Sequence, residues 1–445
     1  MTKLALGDLP DLPVTLTWQE QSITLQQTLR YLPEKRLVTK ARWHDTPLLL
    51  KCFRRNRQGK RQWLAEQKGH QLMQEAGLNA PARLLMEADL AGCYAIAYAW
   101  LERATPLTEQ DLTVPEKCRK IWSELAKLHD AGLIHQDLHC DNLLFVEDQF
   151  VMVDYTAVLA QKQPLSLAMR LEQVALLLAQ FTAEGQDRLC QSISVYQNSL
   201  QSDQLFAFAE QLPAKRKQIE QQRHQTYLKK CFRTCTMTAY RHTLTYEYAF
   251  QREFWEKRHD DFITQLDTLI ANGELLKQGN SATVAKVDLD GQVVVIKRYN
   301  LKSAWHFLKR CWRPSRAANA WRYGRLLTLI GLPTPTALGF VERRIGPLRC
   351  RAYLITAWLP GQELSARFPD KEPGGEIAKQ IQALFQLLLR YRLVHGDLKA
   401  SNILIDDQQQ LQLIDLDAMS QCENNRQFAR GHHRDWQRYQ RNWSE

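Results

Sequence analysis

The sequence has no cysteine pair spaced as CxxC and no apolar run near the ~20 residues that a membrane span requires. Its opening stretch, residues 1–14, is broken by Asp8, Pro10, Asp11 and Pro13, so no secretory leader is expected. The ten cysteines are scattered. Cys231 and Cys235 lie four apart, but His224 and His242 do not complete a zinc spacing, and reduced thiols in the cytoplasm are the expectation. Neither a low-complexity linker nor a zinc finger or other recognition module stands out, and no nucleic acid partner is expected. Acid is in deficit: 48 Asp and Glu stand against 59 Lys and Arg, a net charge of +11. That balance favours an anionic partner, whether nucleotide, phospholipid or phosphorylated glycan.

What is present is a chain of 445 residues, 44% of them apolar. That length is about three times a ~150-residue domain and implies two or more of them. The decisive feature is self-similarity. The run Leu133-Ile-His-Gln-Asp-Leu-His-Cys-Asp-Asn-Leu-Leu-Phe145 returns as Leu393-Val-His-Gly-Asp-Leu-Lys-Ala-Ser-Asn-Ile-Leu-Ile405. Each copy then reaches a short apolar strand ending in an acid, Asp154 in the first and Asp415 in the second. Upstream, Leu48-Leu-Leu-Lys51 pairs with Val294-Val-Ile-Lys297, and Ala76-Gly-Leu-Asn-Ala-Pro81 with Ile330-Gly-Leu-Pro-Thr-Pro335. A fifth block, Ala95 to Leu101, pairs with Tyr353 to Leu359. Five blocks in one order indicate a tandem duplication, expected as domain one over 1–262 and domain two over 263–445. Strands with a lysine, a helix and more strands precede a helical half in each copy. That half is long in the first copy (Leu165 to Phe181, then Leu205 to Arg258) and short in the second.

His-x-Asp-Leu-x-x-x-Asn followed by an apolar strand and Asp resembles the catalytic and metal loops of the protein-kinase-like fold. The resemblance implies an α+β architecture of two tandem bilobal domains, each with a small β-rich lobe and a helical lobe. Phosphoryl transfer needs a carboxylate to orient the attacking hydroxyl, an amide oxygen and a second carboxylate for Mg2+, and a lysine on the ATP phosphates. In domain two the resemblance assigns these to Asp397, to Asn402 and Asp415, and to Lys297. Lys399 falls where a lysine often sits near the transferring phosphate, and His395 would brace the loop. Gly279-Asn-Ser-Ala-Thr-Val284, with Gly279 and Ser281 as its candidate phosphate contacts, is the candidate phosphate loop, carrying one glycine where two or three are usual. In domain one the same parts are Asp137, Asn142, Asp154 and Lys51, with Glu66 placed to pair with Lys51. There the turn before the lysine, Val38 to Pro47, has no glycine. Domain two lacks the glutamate: its equivalent is Ala320, and residues 291–341 contain no acid at all, leaving Asp415 or the nucleotide itself to face Lys297.

Among kinase-like families the chain is similar to bacterial lipopolysaccharide core kinases, which phosphorylate heptose or Kdo. Arg313 to Trp321 leading to Gly331-Leu-Pro-Thr-Pro335, the strand Ile-Asp-Leu-Asp417, and the tail His433-Arg-Asp-Trp-Gln-Arg-Tyr-Gln-Arg-Asn-Trp443 carry that similarity. It implies a cytoplasmic ATP- and Mg2+-dependent sugar kinase acting on lipopolysaccharide core or another anionic glycolipid, with peripheral contact to the inner membrane. Two basic runs fit such a partner. Lys51 to Arg61 holds six basic residues, and Lys297 to Arg325 nine, interleaved with Trp305, Trp312 and Trp321. Solvated helix faces with core tryptophans would look the same. The basic aromatic stretch from Lys215 to Trp255 reads either as a surface helix pair or as an interface between the copies. Two alternatives stay open: an aminoglycoside- or choline-kinase-like enzyme, and a pseudokinase that binds nucleotide or glycolipid without turnover.

Overall fold

The computed structural model describes residue 4 and residues 6–161, 165–258, 261–300 and 311–443; Trp305 lies outside these. The chain divides into two compact units, Met1–Glu220 and Gln221–Glu445.

In the first unit, β-branched and aliphatic residues alternate with polar ones and build an antiparallel sheet. Its strands lie in the order Val14–Trp18, Gln21–Leu32, Arg36–Trp43, Thr46–Arg54, Cys93–Ala99, Arg83–Leu90. The helix Arg57–Glu75 follows the lysine strand. Asn56 starts it by accepting from the Gly59 N–H at 2.7 Å, satisfying one of the otherwise unpaired first-turn donors. A helical part follows, from Pro115–Asp130 onward. Its fully buried Trp122 donates to the Leu189 carbonyl at 2.8 Å, so the indole is both packed and satisfied.

The second unit holds a sheet in the order Thr238–His242, Tyr246–Gln251, Ala337–Ile345, Leu348–Ala357, Gln292–Tyr299, Ala282–Leu289, Glu274–Gln278. The helix Arg316–Leu329, capped by Ser315, packs against it, and the helices Gly375–Arg390 and Asn425–Gln440 complete the unit. In both sheets the five strands around the lysine have the same order.

Two expectations are corrected here. Residues 205–258 are not all helix: the helix Ser202–Lys230 is followed by the strands Thr238–His242 and Tyr246–Gln251. Their tyrosines and phenylalanine favour extended chain, and their partner strand lies far along the sequence. Second, the compact units part at Glu220, not at residue 262, because Tyr246–Phe250 pairs with Gly339–Arg343 in the second sheet. At Gly339 a Cβ would stand 2.1 Å from the Phe250 ring, so this pairing requires glycine. The basic aromatic stretch 215–255 therefore does not form a surface helix pair. Tyr227, Leu228 and Phe232 pack on one core of the second unit, and Tyr248, Phe250 and Phe254 belong to another. The tryptophans of the second basic run also separate: Trp321 is fully buried in the core, whereas Trp312 is 65% exposed.

Candidate active site

Lys297 lies on the strand Gln292–Tyr299, where Val294 and Ile296 are fully buried and alternation turns the lysine to the opposite face. Its Nζ donates to Asp415 Oδ1 at 2.5 Å and to both oxygens of Asp417 at 3.1 Å. The anion missing from the helix is thus supplied by Asp415, as expected, together with Asp417 two residues further on. Tyr299 donates to Asp417 Oδ1 at 2.7 Å, and Asn319 donates to the Asp417 and Met419 carbonyls, fixing the turn. Asn319, next to Ala320, therefore ties helix to loop without a charge. Burial pushes Asp417 up to about 6, against the pull of Lys297 and with the added repulsion of Asp415. Burial would raise Asp415 too, but Lys297 overrides it and holds that carboxyl down at about 2.

The loop carrying Asp397 is set by hydrogen bonds to its backbone. His395 Nε2 donates to the Ile414 carbonyl at 3.0 Å, which leaves Nδ1 to accept from the Asp397 N–H. Asp435, 2% exposed on the helix Asn425–Gln440, accepts from the backbone N–H of His395 at 2.7 Å and of Gly396 at 3.0 Å. Asn402 spends its amide N–H on the Asp397 carbonyl at 2.7 Å, which frees its amide oxygen for a cation. Asp397 itself stays half open, with Lys399 Nζ 3.8 Å from Oδ2 and Arg438 Nη1 3.7 Å from Oδ1. Asp415 takes a left-handed backbone, φ 62°, unusual for a non-glycine residue.

Asp415, Asp417 and Asn402 offer only oxygen donors, which suits a hard divalent cation that completes its shell with phosphate and water. Among the described residues no cluster of three or more His, Cys, Asp or Glu could hold an ion by itself. Gly279 and Ser281 lie in the connection between Glu274–Gln278 and Ala282–Leu289, with Gly279 tied by its N–H to the Ala282 carbonyl at 3.0 Å.

In the first unit Lys51 pairs with Glu66 at 2.6 Å, both side chains nearly excluded from solvent, and lies 3.7 Å from Asp154. Glu66 also accepts from the Thr156 N–H at 3.0 Å. His135 braces the loop as His395 does, reaching the Val153 carbonyl at 2.9 Å, and Asn142 donates to the Asp137 carbonyl at 3.0 Å. Gln173 accepts from the His135 N–H, where the second unit uses Asp435. Asp154 shares the left-handed backbone, φ 64°.

One part was misplaced from sequence. The register Val38↔Lys51 matches Val284↔Lys297, so the counterpart of Gly279–Ser281 is Pro33–Lys35, not the turn within 38–47. This connection also lacks glycine, and its Glu34 pairs with Arg54. Tyr299, Asn319, Asp435 and Arg438 had no functional reading in the sequence. The lone acid in the otherwise basic helix Asn425–Gln440 was the one available signal.

Residues 273–444 match the lipopolysaccharide kinase (Kdo/WaaP) family. All the second-unit site residues, from Gly279 to Asp417, fall inside that Kdo/WaaP-matching segment. The chain is also 29% identical over 185 residues to serine/threonine-protein kinase rio2 of Dictyostelium discoideum, covering 36% of this chain and 33% of that protein. It thus spans about a third of that relative. A solved structure described as WaaP in complex with acyl carrier protein aligns at 17% identity and a TM-score of 0.30, covering 42% of this chain and 76% of that one. Among the described residues, no helix is long and apolar enough to cross a membrane.

Proposed function

We propose that the Gln221–Glu445 unit is an ATP-dependent phosphotransferase whose acceptor is a sugar hydroxyl, heptose or Kdo, of the lipopolysaccharide inner core. The observation that carries this reading is the convergence of Lys297, Asp415, Asp417, Asn402 and Asp397 within the segment matching the Kdo/WaaP family. Asp397 accepts the proton of the attacking hydroxyl and aims it, and its half-open position leaves room for a bulky acceptor. Lys297 holds the nucleotide phosphates while Asp415 and Asp417 keep its ammonium in place. Lys399 neutralises charge beside Asp397. Asn402, Asp415 and Asp417 would hold Mg2+, which supplies charge neutralisation on the phosphates when bound.

We read Met1–Glu220 as a second kinase-like domain related to the first by duplication, with bilobal architecture in both. Its strand order around Lys51, its Lys51–Glu66 pair and the matching left-handed Asp154 support this. One observation favours a binding rather than a transferring role for it: Pro33-Glu34-Lys35 puts a carboxylate where a triphosphate would need backbone N–H groups.

The test is transfer of labelled phosphate from ATP to dephosphorylated lipopolysaccharide by wild type, Asp137→Asn and Asp397→Asn. The reading requires transfer by wild type and its loss, with nucleotide binding retained, in Asp397→Asn. Transfer surviving Asp397→Asn but lost in Asp137→Asn would assign the chemistry to the first unit. Wild type that binds nucleotide and transfers nothing would sink the acceptor assignment.

A further inference from the structure

The helix Asn425–Gln440 carries Arg426, Arg430, Arg434 and Arg438 at every fourth position, all exposed. At 1.5 Å rise per residue the four span about 18 Å along one slowly winding ridge. The adjoining face is consumed by packing: Phe428, Gly431, Asp435 and Tyr439 are buried. Asp435, the one acid of this helix, is spent on the His395 and Gly396 N–H groups. Among the described residues the side chains of Arg426, Arg430 and Arg434 have no hydrogen-bond or ion-pair partner. The last arginine reaches the reaction centre, for Arg438 donates to the Gly396 carbonyl and stands 3.7 Å from Asp397 Oδ1.

Stability alone would not choose this arrangement. Like charges at i,i+4 repel, and the first turn holds no acid but has Arg426 at the positive end of the helix dipole. A local rule broken beside a reactive carboxylate points to a ligand that supplies the missing negative charge.

We propose that this arginine ridge is the acceptor's docking track: it binds anionic groups, phosphate or carboxylate, already present on the acceptor saccharide, and leads its free hydroxyl to Asp397. The proposal rests on the sugar-kinase reading above and deepens it by requiring an acceptor with several anionic groups. Guanidinium forks match phosphate and carboxylate geometry, and their spacing of about 6 Å suits neighbouring substituents on linked sugars.

The test uses the full chain carrying Arg426→Gln, Arg430→Gln and Arg434→Gln together, beside wild type. Binding is measured directly with delipidated, phosphate-bearing core oligosaccharide, with the same oligosaccharide stripped of phosphate, and with anionic phospholipid vesicles. Expected is a loss of about tenfold or more in affinity for the charged oligosaccharide on the triple substitution, with weaker salt dependence. Nucleotide affinity should match wild type, and thermal stability should be equal or higher, since a merely structural role predicts the reverse. Unchanged oligosaccharide affinity overturns the proposal, as does a ridge that binds vesicles and not oligosaccharide. Transfer by wild type is scored separately: binding without transfer counts against the kinase reading and leaves the ridge standing, whereas transfer with ridge-independent binding does the opposite.

Discussion

Replacing Asp417 by Asn tests the rewired lysine anchor most sharply. Asn is nearly isosteric and can still accept from Tyr299, so the change removes the charge that faces Lys297, and one charged oxygen from the proposed cation set, while keeping the turn. Both side chains of the pair are only about one-sixth exposed, 16% for Lys297 and 15% for Asp417. A charge-assisted hydrogen bond in that setting contributes about 1.5–3 kcal/mol. Expressed as lost transition-state stabilisation, this is roughly 10- to 100-fold in kcat/KM. The proton balance adds a second signature. Asp417 sits at about 6 in the folded chain, above its ordinary 3.8, so the native state holds more protons between those values. The stabilisation from that protonation is complete below about 4 and disappears as pH rises through about 6. Wild type should therefore lose more unfolding free energy than Asp417→Asn between pH 4.5 and 7, read by urea titration at each pH. Steady-state phosphotransfer and equilibrium nucleotide binding complete the assay. If the variant binds nucleotide and transfers phosphate like wild type, Asp417 does not anchor Lys297.

Three further outcomes follow from other contacts. Asp435→Ala strands two backbone N–H groups and should destabilise the second unit by about 2–5 kcal/mol, with Asp435→Asn intermediate, as read by denaturant midpoints. In the first unit, burial, helped by the Arg170 charge, pushes the His129 imidazole down to about 3. Its contribution is therefore full above its ordinary 6.5 and is lost as pH falls toward 3. Between pH 7 and 5 this amounts to about 2 kcal/mol, and His129→Gln should flatten that part of the stability profile. Gly69→Ala would set a Cβ 1.9 Å from the Tyr155 carbonyl oxygen. Pushing the Glu66 helix off the Asp154 turn should cost about 3 kcal/mol or more, visible as a lower unfolding midpoint.

The candidate catalytic loops were legible because their geometry is local. Five residues from Asp397 to Asn402 and from Asp137 to Asn142 are enough for one turn to bring the asparagine amide onto the aspartate carbonyl. Glu66 was also readable, since a helix that directly follows the lysine strand returns a side chain to it within 15 residues. Pro33–Lys35 was not, because a loop is located by strand register, and register is set by hydrogen bonds between chains of similar alternation rather than by either strand alone. Trp312 and Trp321 read alike as sequence; one is exposed and the other is core, a difference that only packing decides.

Sequence alone therefore determined the repeated order of Lys, Asp, Asn and Asp, and with it the chemistry each loop can present, because residue type and short spacing suffice for that. Tertiary structure decided that Asp417, 120 residues from Lys297, joins Asp415 in facing it, and which unit receives the strand Tyr246–Gln251. It also decided that Asp435 serves backbone amides and so leaves four arginines of its helix without an acid on that helix. Those assignments depend on long-range closure, where a side chain's partner is chosen by the folding of the intervening chain and leaves no local trace.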